Sequence, residues 1–221
     1  LVGSAKPAAK MVSPPTLTKE RRVIYEEKLG KLPYVQVLYF TPPFMTAEDA
    51  NCDILAQLLA GGKSARLWSR LVEEMQIAQS VRVYQSSMDN VSVFGFEVML
   101  REGQSPEKVI EILDEELTQL KAKPPTEDEI TRARNLIETQ RLYGLQKIGG
   151  FSGKAEQLQS YNHYVGRPDY FNEDFARYKN VTAESLLATV EKYLAHQNRG
   201  VLIANPTKEK PSPAAVKEKN Q

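Results

Sequence analysis

The sequence has little cysteine and little net charge, and each scarcity excludes a class of protein. Its 221 residues include one cysteine, Cys52, so no disulfide framework can form within the chain. Lysine and arginine number 29 against 28 aspartates and glutamates, a formal net charge of +1. This balance argues against nucleic-acid binding, which usually shows a basic excess. No apolar run is long enough to cross a bilayer. We therefore expect neither a nucleic-acid partner nor a membrane span.

Histidine is also scarce, with His163 and His196 as the two examples. A catalytic zinc needs about three protein ligands, commonly with two of them on one helical turn. Neither H-E-x-x-H nor H-x-x-E-H occurs, and G-x-S-x-G is missing too. Cys52 falls on a predicted apolar stripe, where a packed thiol is expected. The acids at 73–74 and 114–116 are interpreted as solvated helix faces. We predict no catalytic residue and no metal ligand in this chain.

The composition of the two ends differs from that of the middle. Residues 1–15 are rich in alanine, lysine, serine and proline, which predicts a linker or tail. Residues 208–221 have nothing to bury and predict a flexible tail. Residues 16–207 are expected to form one domain. The chain begins at Leu1 and shows no signal peptide, so we expect a processed or excised piece of a longer protein.

Alternation of apolar and polar residues predicts five strands. They cover residues 21–28, 34–40, 78–85, 91–101 and 200–205. A hairpin-like connection is expected between the first two strands, at Lys31-Leu32-Pro33. The fourth strand is apolar on both sides, which predicts a central strand covered on both faces.

Helical spacing and capping residues predict the helices. Thr46 with Asp49, and Thr126 with Glu129, read as capping boxes, and Ser105 reads as an N-cap followed by proline. Further helices are expected over residues 67–75, 152–165, 170–178 and 182–194. Strands first, helices later and a returning strand indicate an α+β layer packing.

The Gly62-Lys63-Ser64 tripeptide resembles the end of a phosphate loop. That loop requires G-x-x-x-x-G-K-[ST], and the position of its first glycine is Gln57 here. A helix also precedes the tripeptide, where the motif needs a strand. We interpret the segment as a turn between two helices, with glycine at the end of the first.

The order of the segments resembles one family of zinc peptidases. Pro42-Pro43, an acid-capped helix and then LLAGGKSARLWSRLVEEMQIAQSV are similar to the C-terminal half of an M16 unit, pitrilysin-like or mitochondrial-processing-peptidase-like. Arg66-Leu67-Trp68 stands where that half has R-L-Y. The later stretches KPPTEDEITRARNLI, YNHYVGRPDYFNEDFARYKNVTAESLLATVEKYL and NRGVLIANP follow in the same order. The resemblance spans about Pro15 to Pro206.

The resemblance implies a fold and a role. The fold is an α+β, LuxS/MPP-like metallohydrolase half-unit, whose mixed, mostly antiparallel sheet carries helices on one face. Two such halves make a unit, and the N-terminal half carries H-x-x-E-H and the zinc. This chain would be the inactive domain, without a cofactor of its own. It would form part of a chamber that binds an unfolded peptide, beside an upstream zinc-bearing domain. One alternative is a structural or assembly protein whose parent lacks zinc and peptidase activity; another is an unrelated α+β binding module.

Two positions depart from the family pattern. Many C-terminal halves carry an arginine and a tyrosine that lean towards the substrate, and the matching positions here are Val72 and Gln79. The resemblance then implies a second M16 copy or subunit that supplies this pair. Gly61, Gly62 and Lys63 occupy the place of a loop that meets substrate in related subunits, with a plain turn as the alternative. The LVEE form is typical of exported relatives, which implies a periplasmic parent.

Overall fold

A five-stranded sheet lies at the centre of the structure, a computed structural model that describes residues 17–207. The strands are β1 (Arg21–Glu27), β2 (Tyr34–Thr41), β3 (Ala78–Ser86), β4 (Ser92–Leu100) and β5 (Arg199–Pro206). Their order is β1-β5-β2-β4-β3, with β1 and β5 parallel and the other pairs antiparallel. The predicted linker at residues 1–15 and the predicted tail at residues 208–221 lie outside the described residues.

The predicted hairpin between the first two strands is wrong, because β5 lies between them. β5 pairs with β1 on one side and with β2 on the other. Val201 and Ile203 of β5 are buried, which suits an interior strand. Charged residues at both ends of β1 suit an edge instead. The late strand predicted from the run Val201–Ile203 is confirmed.

Seven helices lie within residues 17–207. They are α1 (Ala47–Ala60), α2 (Arg66–Trp68), α3 (Pro106–Ala122), α4 (Glu127–Gly144), α5 (Lys154–Val165), α6 (Phe171–Lys179) and α7 (Ala183–Tyr193). α2 continues into one π-helical segment, Ser69–Glu74, so the predicted helix over 67–75 is irregular. The described part of the chain contains no helix that is both long and apolar enough to span a membrane.

The predicted caps determine where several helices begin. Thr126 and Glu129 form a complete capping box at the start of α4, and Ser105 caps α3 with proline at its first turn. At α1, Thr46 accepts a hydrogen bond from the Asp49 amide at 3.2 Å. The Asp49 carboxylate does not return a bond to Thr46 but binds other groups, so half of that predicted box forms.

The hydrophobic core lies between the helices and one face of the sheet. α1 packs on β3, while α3 and α7 pack on β2. Alternate strand residues point into this layer and are buried, among them Val35, Val37, Tyr39, Val81, Phe94, Phe96, Val98 and Ile203. Their helical partners include Ile54, Leu55, Leu58 and Leu59 of α1. The predicted α+β class, with a mixed, mostly antiparallel sheet and helices on one face, is confirmed.

Candidate functional site

The second face of the sheet keeps most of its large side chains partly or fully exposed. We call it the open face. It consists of Val23, Tyr25, Tyr34, Gln36, Leu38, Phe40, Arg82, Tyr84, Val93, Glu97, Met99 and Leu202, with Gly95 and Gly200 between them. The prediction that β4 is covered on both faces is wrong within residues 17–207, because Val93 and Met99 are only half-buried. The apolar residues on both sides of β4 predicted that both of its faces would be covered, whereas on one face they form an apolar surface that is partly exposed.

A line of polar groups crosses the middle of the open face. Gln36 Nε2 donates to Glu97 Oε1 at 3.2 Å, and Arg82 Nη1 lies 3.3 Å from Glu97 Oε2. The Arg82 guanidinium also lies 4.6 Å from the centre of the Tyr84 ring. Burial and the nearby Glu97 charge raise the pKa of Tyr34 to about 12, so its hydroxyl stays neutral. The open face therefore combines aromatic and aliphatic area with hydrogen-bonding groups, as protein interfaces do.

Tyr84 lies across Gly95 of the neighbouring strand. A Cβ atom on Gly95 would be 2.5 Å from Cζ of Tyr84, closer than real contacts allow. A glycine inside a strand often marks such a close approach. The tyrosine ring is therefore held flat against the sheet, which shapes the centre of the open face.

The loop that the resemblance singled out ends α1. The Gly61 amide donates to the carbonyl of Gln57 at 2.7 Å, and a side chain on Gly61 would collide with that carbonyl. Gly62 has a φ of 127°, which favours glycine. Lys63 is exposed. Both glycines are required by the turn itself, and contact of the loop with substrate or a partner remains a prediction.

Val72 and Gln79 lie where the backbone is irregular. Val72 belongs to the π-helical segment and packs partly buried against the core. Gln79 is exposed at an irregularity of β3, since pairing with β4 passes from Ala78 to Ser80. Such irregularities re-aim side chains and are frequent at functional sites. Neither residue offers a cation or a phenol at its position.

The arginine of the Arg66-Leu67-Trp68 segment has a structural partner. Arg66 Nε and Nη2 donate to the two carboxylate oxygens of Glu129, at 2.8 and 2.9 Å. This hydrogen bonding lowers the pKa of Glu129 to about 2. The buried Glu116 lies 3.8 Å from Arg66, and again 3.8 Å from Arg70. The interpretation of residues 114–116 as a solvated helix face is therefore wrong for Glu116.

A buried ionic network joins α1 to α6, and the sequence analysis did not detect it. Arg177 is bonded to Asp174 and lies 3.4 Å from Asp49. Asp174 also pairs with Arg141 of α4. The Asp49 carboxylate accepts a hydrogen bond of 2.6 Å from Ser87. The acid at the first turn of α1 could be recognised from the sequence, but its arginine partner lies 128 residues later.

The ionic network does not fit a metal ion. Its carboxylates Asp49 and Asp174 are neutralised by the guanidinium groups of Arg177 and Arg141. Across residues 17–207 no group of three or more histidine, cysteine, aspartate or glutamate side chains is arranged to hold one. Cys52 is fully buried, as predicted, and burial raises the pKa of its thiol. A raised pKa makes this cysteine a poor nucleophile.

Both histidines are exposed and stand apart from the ionic network. His163 lies on α5 and contacts the Tyr164 ring edge-on. His196 lies in a short turn before β5, with Nε2 at 3.6 Å from Glu20 and 3.8 Å from Asp114. Those two acids are already bound by the buried Arg199. Both histidines thus lie outside the ionic network and outside the open face.

Comparison with known proteins agrees with this geometry. A family model described as the peptidase M16 inactive domain matches residues 2–137. An uncharacterized zinc protease of Streptomyces coelicolor is 27% identical over 160 residues, covering 71% of this chain and 33% of that protein. A protease from Helicobacter pylori has a TM-score of 0.80 at 16% identity, covering 93% of this chain and 48% of that one. An inactive peptidase domain from Bordetella parapertussis has a TM-score of 0.71 at 24% identity, covering 85% and 97%.

These matches differ in what they establish. The two solved structures, both below 25% identity, show the fold alone. The chain spans about a third of the length of the Streptomyces relative. The family model covers more than half of the chain. The chain therefore belongs to the family of peptidase M16 inactive domains.

Proposed function

We propose that this domain is the non-catalytic C-terminal half of a zinc-dependent M16 metalloendopeptidase and forms part of its peptide-binding chamber. Membership of the inactive-domain family and the name of the Streptomyces relative support the reaction class. Because the ionic network does not fit zinc, the metal and the general base are assigned to another, upstream domain. No catalytic step passes through the residues of this chain.

The open face is the observation that carries this proposal. It presents tyrosine, phenylalanine, leucine and methionine side chains around a hydrogen-bonded polar line. Such a surface suits contact with the rest of the protease and with unfolded peptides of varied sequence. A wall of this kind excludes bulk solvent and holds the peptide within reach of a metal on another domain.

A second M16 copy or subunit is part of the same proposal. A developing oxyanion is stabilised by a cation or a hydrogen-bond donor aimed at it. Val72 has neither, and Gln79 lacks the charge or phenol of the family pair. We infer that the arginine and tyrosine come from another chain or another half of the parent. Gly61, Gly62 and Lys63 are proposed to face that partner or the substrate.

Two peptidase assays test whether catalysis requires the upstream domain. The 221-residue chain alone is expected to leave a quenched fluorescent peptide intact, with or without added zinc. The longer protein, containing the upstream domain, is expected to cleave the peptide and to lose activity with a chelator. Chelator-sensitive cleavage by the 221-residue chain would overturn the proposal. A zinc-loaded parent that stays inactive in the presence of its second M16 copy or subunit would instead favour the structural or assembly role.

A variant of the open face tests its part in the chamber. Leu38→Arg places a charge at the centre of this surface, on a half-buried side chain. The isolated chain carrying this change should bind the separately produced upstream domain at least about tenfold more weakly, because a buried unpaired charge costs more than 1.4 kcal/mol. The matched control is Leu136→Arg, at a leucine of α4 that is 36% exposed. Equal weakening by both variants would show that the open face is not the contact.

A further inference from the structure

β1 is an edge strand whose centre is apolar and exposed. Within residues 17–207 it pairs with β5 alone, so its outer edge has no partner there. Val23 and Ile24 are each 57% exposed and Tyr25 is 42% exposed. Side chains on both faces of the strand are therefore in solvent. An exposed apolar edge of this kind is a template for pairing with another strand.

The opposite edge of the sheet is protected, which makes the exposure of β1 specific. β3 carries an irregularity at Gln79 and an exposed charge at Arg82. Bulges and charges on an edge strand discourage pairing. β1 has no proline and no bulge, and its charges lie at its two ends, with two arginines at the start and two glutamates at the end. These charges repel an added strand unless that strand brings the opposite charge to each end. β3 therefore resists pairing at its irregularity, whereas β1 selects a strand whose charges complement its own.

The hydrogen bonds of β1 show which backbone groups are free. The Thr207 amide donates to the Glu27 carbonyl at 3.0 Å, so Glu27 faces β5. Along a strand, backbone groups of successive residues point to alternate sides. Arg22, Ile24 and Glu26 therefore present their amides and carbonyls to the outer edge. An antiparallel partner centred on Ile24 would form on the order of six backbone hydrogen bonds with them.

The sequence of β1, RRVIYEE, is complementary to itself when reversed. In an antiparallel pair centred on Ile24, Arg22 of each copy lies opposite Glu26 of the other. Arg21 then lies opposite Glu27, and Val23 opposite Tyr25. Opposite charges and aromatic–β-branched pairs in these positions are favourable, on the order of 0.2–1 kcal/mol each.

We propose that two copies of this chain associate through their β1 strands, paired antiparallel about a two-fold axis at Ile24. The pairing would join two five-stranded sheets into one continuous sheet. A second copy is favoured over an extended peptide of arbitrary sequence because β1 itself, when reversed, carries the complementary charges at both ends. Arg22 now contacts Glu20 at 2.8 Å, and Tyr25 contacts Glu27 at 3.1 Å, contacts that solvent-exposed side chains can exchange. The inference goes beyond the proposed peptidase role and does not depend on it.

Charge exchange on β1 tests the pairing. The dimer dissociation constant of the 221-residue chain is measured by sedimentation equilibrium. Arg22→Glu and Glu26→Arg should each weaken the dimer about tenfold, because each places like charges opposite one another at two symmetric positions. The double variant Arg22→Glu/Glu26→Arg should return to within about threefold of the original. Arg132→Glu, the same charge change at an exposed residue of α4, should leave the dimer unchanged.

Cross-linking tests the register. The two Ile24 Cα atoms of a hydrogen-bonded antiparallel pair would be about 5.5 Å apart, within disulfide range. Ile24→Cys should give a covalent dimer under mild oxidation. Tyr25→Cys should not, because residue 25 of one copy lies opposite residue 23 of the other, and the two cysteines would be offset by two residues. Cys52 is buried and does not compete. A chain that stays monomeric at about 100 μM would overturn the proposal. A dimer whose dissociation constant does not respond to the charge changes would also overturn the proposal, because the two copies would then associate through another surface.

Discussion

The hydroxyl of Tyr178 on α6 donates a hydrogen bond of 2.7 Å to Oδ2 of Asp53 on α1. Burial, and then the neighbouring Asp49 charge, raise the pKa of Asp53 to about 7, while the Tyr178 hydrogen bond and the charges of Arg141 and Arg177 oppose that rise. The contact therefore links two helices through an acid that keeps its proton up to about neutral pH. We therefore expect the docking of these two helices to depend on pH.

Asp53→Asn should change how stability depends on pH. The folded pKa of about 7 lies above the ordinary value of about 3.9, so the folded chain holds a proton that the unfolded chain releases between these values. The stability supplied by this carboxyl is full at acidic pH and is lost as pH rises through about 7. The variant lacks this titrating carboxyl, so only the original chain loses the corresponding stability as pH rises. From pH 5 to pH 8, the free energy of unfolding of the variant should therefore rise by about 2–3 kcal/mol relative to that of the original chain. Urea unfolding at both pH values measures it.

The control for this experiment is Asp89→Asn, at an exposed aspartate between β3 and β4. It should leave the difference between the two pH values unchanged. A pH dependence of Asp53→Asn that equals that of the original chain would contradict the raised pKa.

Glu129→Gln should have the opposite pH dependence. Arg66 lowers the pKa of Glu129 to about 2, so the stability it supplies is present above the ordinary value of about 4.3 and is lost as pH falls through about 2. We expect a loss of about 1–3 kcal/mol at pH 7 that shrinks at pH 3. The control, Glu127→Gln, lies in the same helical turn with its side chain 75% exposed, and should cost less than about 0.5 kcal/mol. A loss that grows on acidification would contradict the assignment.

Local features of the structure could be predicted from the sequence, and long-range ones could not. The capping residues Thr126 and Glu129 determine where α4 begins, and alternation determined β2 to within a residue. The predicted hairpin between β1 and β2 was wrong because β1 pairs with β5 from the other end of the chain, and nothing in either segment shows this partner. A pattern shows which residues alternate but not what covers them.

The candidate site divides in the same way. The Gly61–Gly62 turn and the buried Cys52 follow from short-range pattern. The part of the open face formed by β4 was predicted to be covered, because apolar residues on both sides of a strand look the same whether or not a second layer is present. The Asp49–Arg177 contact joins two residues 128 positions apart: Asp49 could be recognised as a capping residue, but Arg177 looks like an ordinary helix-surface charge in the sequence. Interactions between distant segments therefore account for what the sequence did not reveal.

Arg199→Ala should be among the most destabilising single changes. Arg199 is fully buried at the start of β5 and binds three groups from different segments. Its Nε donates to Glu20 at 2.7 Å, and its Nη1 donates to Tyr39 at 3.2 Å and to Asp114. Removing it leaves acids without their cation and a cavity, so a loss of about 3–5 kcal/mol is expected in urea unfolding at pH 7.

Arg199→Lys tests whether geometry matters besides charge. Lysine keeps the positive charge but cannot reproduce two parallel bonds to Asp114. We expect a smaller loss than for alanine, about 1–3 kcal/mol. Equal losses for the two variants would show that the planar guanidinium carries the whole effect, and a loss below about 1 kcal/mol for alanine would refute the stabilising role of the cluster.

Gly95→Ala tests the close approach that shapes the open face. The added Cβ would meet the Tyr84 ring at 2.5 Å, so the ring must move or the strands must separate. A cost of about 1–3 kcal/mol is expected in the original chain. In a Tyr84→Ala background the same change should cost little or even stabilise, because alanine is preferred to glycine in a strand by about 0.5–1 kcal/mol. A double-mutant cycle by urea unfolding measures the coupling, expected above about 1 kcal/mol.

Gly200→Ala is the matched control for this cycle, since Gly200 lies on the same face opposite Leu38 and an added Cβ would meet nothing within 4 Å. It should be neutral or slightly stabilising in both backgrounds. If Gly95→Ala behaved like Gly200→Ala, the ring would not be held against the sheet. If Gly95→Ala shows a large coupling with Tyr84 and also weakens binding of the proposed upstream domain, the position of the Tyr84 ring, and not only the apolar area around it, would define the proposed contact surface.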